Sequence, residues 1–142
     1  MTITRITLSR AKGWRKPEGA IVVSRPTIWG NPWQPGPCGV LHWPMSEEPN
    51  WLSIVPFTFG GEPAMVDAET CVRWFSDWLS TDYAPLPESL PRSASKKVGD
   101  NLTARRTLIL SRLPELRGHD LCCWCRPGEP CHATVLIRMA NG

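Results

Sequence analysis

Fifteen prolines in 142 residues leave only a few stretches of this chain free to build regular structure. Each proline ring fixes φ, removes an amide donor and biases the preceding residue away from the helix. Between prolines, Ile3, Ile6 and Leu8 interleave with Thr and Arg, which predicts a short strand near Arg5 to Ser9. Ala20-Ile21-Val22-Val23 is β-branched, short and bounded by turn residues, which predicts a buried strand. Ala64, Ala68, Cys71, Val72, Phe75, Trp78 and Leu79 fall at helical spacing, with Cys71 as core filling on the apolar face. A second helix is expected from about Leu102 to Leu113, capped by Asp100 or Asn101. Leu121-Cys122-Cys123-Trp124-Cys125 reads as a last buried strand. After the turn Arg126-Pro127-Gly128-Glu129-Pro130, a final helix starts at Cys131-His132.

Strands alternating with helices predict an α/β fold, with a small, mostly parallel sheet flanked by helices in a single layered domain over 1–142. Two Pro-rich connections interrupt it. Residues 34–62 are expected as a long Pro/Trp-rich loop or insertion, pinned to the body by Trp43, Trp51, Phe57 and Phe59, and residues 81–99 as a second loop. The eight tryptophans are mostly core material, because so large an amphipathic ring needs a wall to pack against. No apolar run approaches the ~18 residues that a bilayer span needs. The N-terminus lacks the apolar stretch of a secretory signal, so the cytoplasm is the expected location.

Four of the six cysteines crowd into residues 122–131, which makes poor long-range staples and points instead to chemistry or metal binding. Strand alternation puts Cys123 and Cys125 on one face, with Cys122 and Trp124 on the other. Cys131-His132 returns at a helix start, where free amides and the helix dipole favour thiolates and anions. Three readings stay open. Cys131 or Cys125 acts as a reactive thiol with His132 as its acid, base or ligand contact. Alternatively, Cys123, Cys125, Cys131 and His132 bind zinc, although the adjacent Cys131 and His132 diverge by about 100° on a helix. In the third, the cysteines are packing and His132 helps start the helix. A zinc nucleobase deaminase is excluded, because no H-x-E triplet exists and Thr134 stands three after Cys131. Nucleotide-binding glycine loops and the G-x-S-x-G elbow are absent too. His42 and His119 read as loop residues.

In an open α/β sheet, ligands sit beyond the carboxyl ends of the strands. Both Trp29-Gly30-Asn31-Pro32-Trp33 and the exit from Cys123-Trp124-Cys125 fall at such ends. Arg25 is therefore a candidate for a phosphate or carboxylate, Asn31 for a polar ligand edge, and Trp29 or Trp124 for stacking on a ring. Cys131 and His132 would supply the reactive or anion-orienting groups. The charge is uneven: basic ends, including Arg105, Arg106 and Arg112, flank an acidic middle over 46–90. That pattern fits either a nucleotide-like ligand or a non-catalytic accessory protein binding nucleic acid. Whether the chain is an enzyme, and whether its cofactor is zinc or none, is undecided by these residues.

The motifs resemble those of domain-of-unknown-function family 4326, found in bacteria and their phages. The resemblance is carried by Lys12-Gly13-Trp14-Arg15, by Val23-Ser24-Arg25-Pro26-Thr27 running into Trp29-Gly30-Asn31-Pro32-Trp33, and by Val72-Arg73-Trp74-Phe75 with Trp78-Leu79. It continues through Leu116-Arg117-Gly118, Cys123-Trp124-Cys125 and Pro130-Cys131-His132-Ala133. Trp33 departs from the phenylalanine common there but keeps an aromatic. The resemblance implies an α/β fold with a site at a strand-to-helix turn. Occurrence in phages implies nucleotide or nucleic-acid metabolism.

Overall fold

A computed structural model describes residues 3–44 and 51–142. The strands are β1 (Arg5–Thr7), β2 (Ile21–Val22), β3 (Trp33–Gln34), β4 (Val40–Pro44), β5 (Trp51–Pro56), β6 (Thr58–Phe59), β7 (Glu62–Pro63) and β8 (Leu121–Cys123). The helices are α1 (Ala68–Thr81), α2 (Arg92–Arg112) and α3 (His132–Asn141), and α2 runs into a 3₁₀ turn at Leu113–Leu116. Helices and small sheets together make an α/β chain.

The expected mostly parallel sheet holds for one part only. The last strand, β8, lies between β1 and β2 and is parallel to both, with Leu121 paired to Arg5 on one side and Ile21 on the other. A second sheet, β3-β4-β5, is antiparallel, and β6-β7 is a separate hairpin. The described part of the 34–62 loop or insertion is thus largely strand. Pro44 and Pro56 sit at strand ends, where a ladder tolerates them, and Pro63, just after the stretch, closes β7. Residues 45–50 of that stretch lie outside the described residues. Trp43 Nε1 donates to Asn101 Oδ1 at 3.0 Å and Trp51 Nε1 to the Pro26 carbonyl at 2.9 Å, so two of the four expected pins hold this sheet to the body. Phe57 is buried as a third. Phe59 is not a pin, because it stands 81% exposed on the β6-β7 hairpin.

The first helix starts at Asp67, whose carboxylate accepts from Thr70 N–H at 2.8 Å. It buries Cys71, Phe75, Trp78 and Leu79 on one face, as the spacing predicts. The second helix begins ten residues before the expected Leu102, just after Pro91. Its first two turns are polar and solvated, and Lys96 pairs with Asp100 inside the helix at 2.7 Å. The buried stripe begins only at Val98 and continues through Leu102, Arg105 and Ile109. Only part of the expected 81–99 loop is therefore a connection. Val23, Trp33, Phe75, Trp78, Leu102, Leu121, Leu136 and their neighbours form one contiguous apolar cluster linking the sheets to the helices.

Candidate functional site

The two turns singled out by the sequence border the same cavity, of about 200 Å³, at the carboxyl end of β8 and β2. Arg25, Asn31 and Trp33 line it from one side, and Cys123, Trp124, Cys125, Cys131 and His132 from the other. Cys71 and Val72 of α1 contribute further wall.

The first turn is shaped by its own polar groups. Asn31 Oδ1 accepts from Trp33 N–H at 3.0 Å, an Asx turn, and its Nδ2 donates to the Cys71 carbonyl at 3.1 Å. The amide thus ties the turn to α1 instead of presenting a free edge. Gly30 sits against Arg25: a Cβ there would come within 2.5 Å of Arg25 Cγ and 3.0 Å of its backbone nitrogen, so only glycine fits. The peptide between Arg25 and Pro26 is cis. The Arg25 guanidinium donates to the Asn31 carbonyl and to Gln34 Oε1. Burial lowers its pKa, yet a guanidinium keeps its proton, so Arg25 places a fixed positive charge in the wall. Trp29 does not join the site. It is 5% exposed in the core and faces Arg112, so of the two rings only Trp124 lines the cavity.

On the second turn, β8 ends at Cys123 and the chain swings outward, so strand alternation stops there. Trp124 therefore lines the cavity beside Cys123 and Cys125, not the opposite face with Cys122 as alternation predicts. Its ring is 47% exposed, with the Arg10 guanidinium 4.5 Å from its centroid. Arg5 organises the turn, donating to the carbonyls of Cys125 at 3.1 Å, Arg126 at 3.1 Å and Glu129 at 3.4 Å. Thr7 Oγ1 adds a bond to the Cys125 carbonyl at 2.9 Å. The same Arg5 points an N–H at Cys123 Sγ, 3.7 Å away. Nothing in the sequence pattern marked Arg5, which reads as an ordinary solvated position on a half-buried strand.

The sulfurs of Cys123, Cys125 and Cys131 lie within 4.8 Å of one another. Cys123 and Cys131 are 3.0 Å apart, and every described cysteine is a free thiol. Hydrogen bonds from Cys125, then Cys131, and a further one from Arg5 hold the Cys123 thiol well below its usual range. Cys125 and Cys131 are both raised, first by their bonds to Cys123. The thiol whose pKa is lowered is the one beside the Arg5 guanidinium.

His132 is not part of this sulfur group. Its Nε2 lies 2.8 Å from the Val23 carbonyl. A carbonyl only accepts, so Nε2 carries the proton and the neutral ring leaves Nδ1 bare toward Cys131 Sγ at 3.9 Å. Burial lowers the imidazole pKa, which favours that neutral form. The ring stands edge-on to Phe75, with centroids 5.2 Å apart. His132 locks α3 to β2.

Three of the basic residues expected to meet nucleic acid, alongside those of the N-terminal stretch, make contacts within the fold. Arg105 is 2% exposed with its guanidinium 4.8 Å from the centre of the Trp51 ring. Arg106 Nε donates to the Trp78 carbonyl at 2.8 Å, and Arg112 pairs with Glu115 at 2.8 Å. His42 lies on β4, not in a loop, with Nε2 2.7 Å from Gln34 Oε1. His119 does sit in a turn, tied to the Gly19 carbonyl. No helix among the described residues is long and apolar enough to cross a membrane.

No curated protein and no solved structure matches this chain. A family match does exist, and it takes in both turns, the thiol trio and all three helices. Spanning residues 6–142, it shows that the chain belongs to the family described as Domain of unknown function (DUF4326).

Proposed function

We propose that the cavity between the Asn31 and Cys125 turns binds a small planar anion of the nucleobase or nucleotide class, with the described residues working as one domain. The observation that carries this reading is the balance of charge in the lining. Arg25 is a permanent cation there, no carboxylate faces it, and His132 is held neutral. An enclosed cation that no carboxylate of the lining neutralises favours an anionic ligand. The half-exposed Trp124 ring supplies the stacking surface, and Arg10 above it extends the positive field to the rim. At about 200 Å³ the cavity falls short of the ~300 Å³ typical of drug-sized sites. A ring moiety would fill it, leaving phosphate or sugar at the mouth.

His132, the candidate base, has its one proton on the nitrogen that holds Val23, and its ring is buried. Asn31 acts by shaping the wall, since both ends of its amide are already bonded.

Calorimetry and thermal shift with a panel of free bases, nucleosides and nucleoside monophosphates test the reading. At least one nucleoside monophosphate is expected to bind and quench Trp124 fluorescence more strongly than its uncharged nucleoside. Trp124→Ala is expected to weaken that binding about tenfold, the low end of a lost stacking contact. A panel in which no anion binds better than its neutral counterpart would overturn it.

A further inference from the structure

We propose that Cys123, Cys125 and Cys131 are the three protein ligands of a zinc site whose fourth position opens into the cavity. The inference stands on the sulfur geometry and does not depend on what else the cavity binds.

Zinc binds thiolate sulfur at about 2.3 Å in a tetrahedron, which puts two ligand sulfurs about 3.8 Å apart. The three Sγ atoms span separations from 3.0 Å for Cys123–Cys131 up to at most 4.8 Å. That range brackets the edge of such a tetrahedron, so small χ1 adjustments bring all three to bonding distance. A disulfide framework does not use the trio equally, since one sulfur of three is always left over. Cys122, the sequence neighbour, is buried outside the group. The convergence therefore selects three thiols out of four nearby ones.

The surroundings are those of a held site. Two ligands come from the end of β8 and its exit, and the third from the residue that caps α3. Arg5 and Thr7 on the adjacent β1 fix the carbonyl of Cys125, and Leu8 N–H donates to the carbonyl of Cys123 at 2.8 Å. The loop is thereby shaped before any ion arrives, as outer-shell bonds do at metal centres. Three thiolates and one Zn²⁺ sum to a single negative charge, and the Arg5 guanidinium 3.7 Å from Cys123 Sγ offsets it. Cys125 is only partly buried and Trp124 and Arg25 share its cavity, so the side of the trio away from Arg5 faces open space. Water or a ligand heteroatom would complete the tetrahedron there, the arrangement of a site that keeps an open position.

The test uses the whole chain purified under reducing conditions, loaded with zinc alone and, separately, with cobalt(II) alone. One zinc per chain is expected, and the cobalt form should show thiolate charge-transfer and tetrahedral d–d bands. Cys123→Ser, Cys125→Ser and Cys131→Ser should each weaken cobalt binding at least about 100-fold, and Arg5→Gln about 10- to 100-fold, the range of a lost outer-shell partner. Cys38→Ser, a thiol outside the trio, should leave the stoichiometry at one. Because a serine variant can fail to fold, a mercurial titration of the wild-type protein is the second measurement; zinc should be released as the trio is modified. Folded, reduced protein that takes up neither metal overturns the proposal, as does metal that survives substitution of all three cysteines. Imidazole added to the cobalt form should shift its d–d bands. Bands that ignore imidazole but change in His132→Gln would assign the fourth position to His132 and overturn the open site.

Discussion

Around Asn31, the polar side chains and carbonyls are turned inward: Arg25 to the Asn31 carbonyl and Gln34, Asn31 to Trp33 and Cys71, Trp33 Nε1 to the Pro85 carbonyl. Around Cys125 it is the backbone that is held, by Arg5 and Thr7, while the sulfurs and the Trp124 ring are left facing the cavity. The two tryptophans summarise the contrast. Trp33 is 1% exposed and stands edge-on to Trp74 and Trp78, whereas Trp124 is half-exposed with Arg10 above it. One turn is a packed mould whose Arg25 adds charge to the cavity wall, and the other leaves its sulfurs and the Trp124 ring open to the cavity. Stability and function should therefore separate between them on mutation.

The largest effect is expected at Trp33. Trp33→Ala should lower unfolding free energy by about 3–5 kcal/mol, measured by urea titration, because it empties a packed aromatic site. A loss no greater than that of a surface substitution would break the mould reading. Gly30→Ala comes next, at about 1–3 kcal/mol, since the new methyl forces the Arg25 backbone to move. A variant as stable as wild type would show that the turn has room to relax.

His42, bonded to Gln34 behind that turn, gives a smaller, pH-dependent effect. Burial, helped by the charge of Arg25, pushes its pKa down to about 4 from 6.5. Between those values the unfolded chain binds a proton that the folded chain refuses, so stability falls as pH drops from 6.5 toward 4. The slope is at most about 1.4 kcal/mol per pH unit, and lower for a ring that keeps some solvent contact. Urea midpoints across that window should show the slope in wild type and less of it in His42→Gln; parallel curves would remove His42 from the account. The smallest stability effect belongs to Trp124. Trp124→Ala should stay within about 0.5 kcal/mol of wild type, with its cost appearing in ligand binding. A destabilisation comparable to Trp33→Ala would erase the contrast between the turns.

Periodicity in the sequence located Ile21–Val22, α1, β8 and α3, because each has a one-sided apolar pattern bounded by turn residues. It found only the second half of α2, whose first two turns expose Lys96 and Lys97 and offer no apolar stripe before Val98. It failed for β3-β4-β5, where prolines at strand ends read as loop punctuation although the ladder places them at its margins. Within the site, the i,i+2 spacing brought Cys123 and Cys125 together on paper. The return of Cys131 to within 3.0 Å of Cys123 depends on Arg5 clasping the intervening turn, and a contact across more than a hundred residues has no local signature. Trp29 was misplaced for the complementary reason: a turn motif says which residues are near a strand end, not which of their rings turn inward.

The middle strand of the parallel sheet is the last one in the chain, and both of its flanking partners are near the beginning. During synthesis the ribosome therefore releases the two outer strands long before the strand that joins them. Until residues 121–123 emerge, Arg5–Thr7 and Ile21–Val22 have no neighbour to pair with in this sheet, and the nascent polypeptide carries open edges. Closing that gap spans more than a hundred residues, which makes it the slow, nonlocal step by its topology. A chain halted before Leu121 would have neither the sheet's centre nor any of the three clustered thiols.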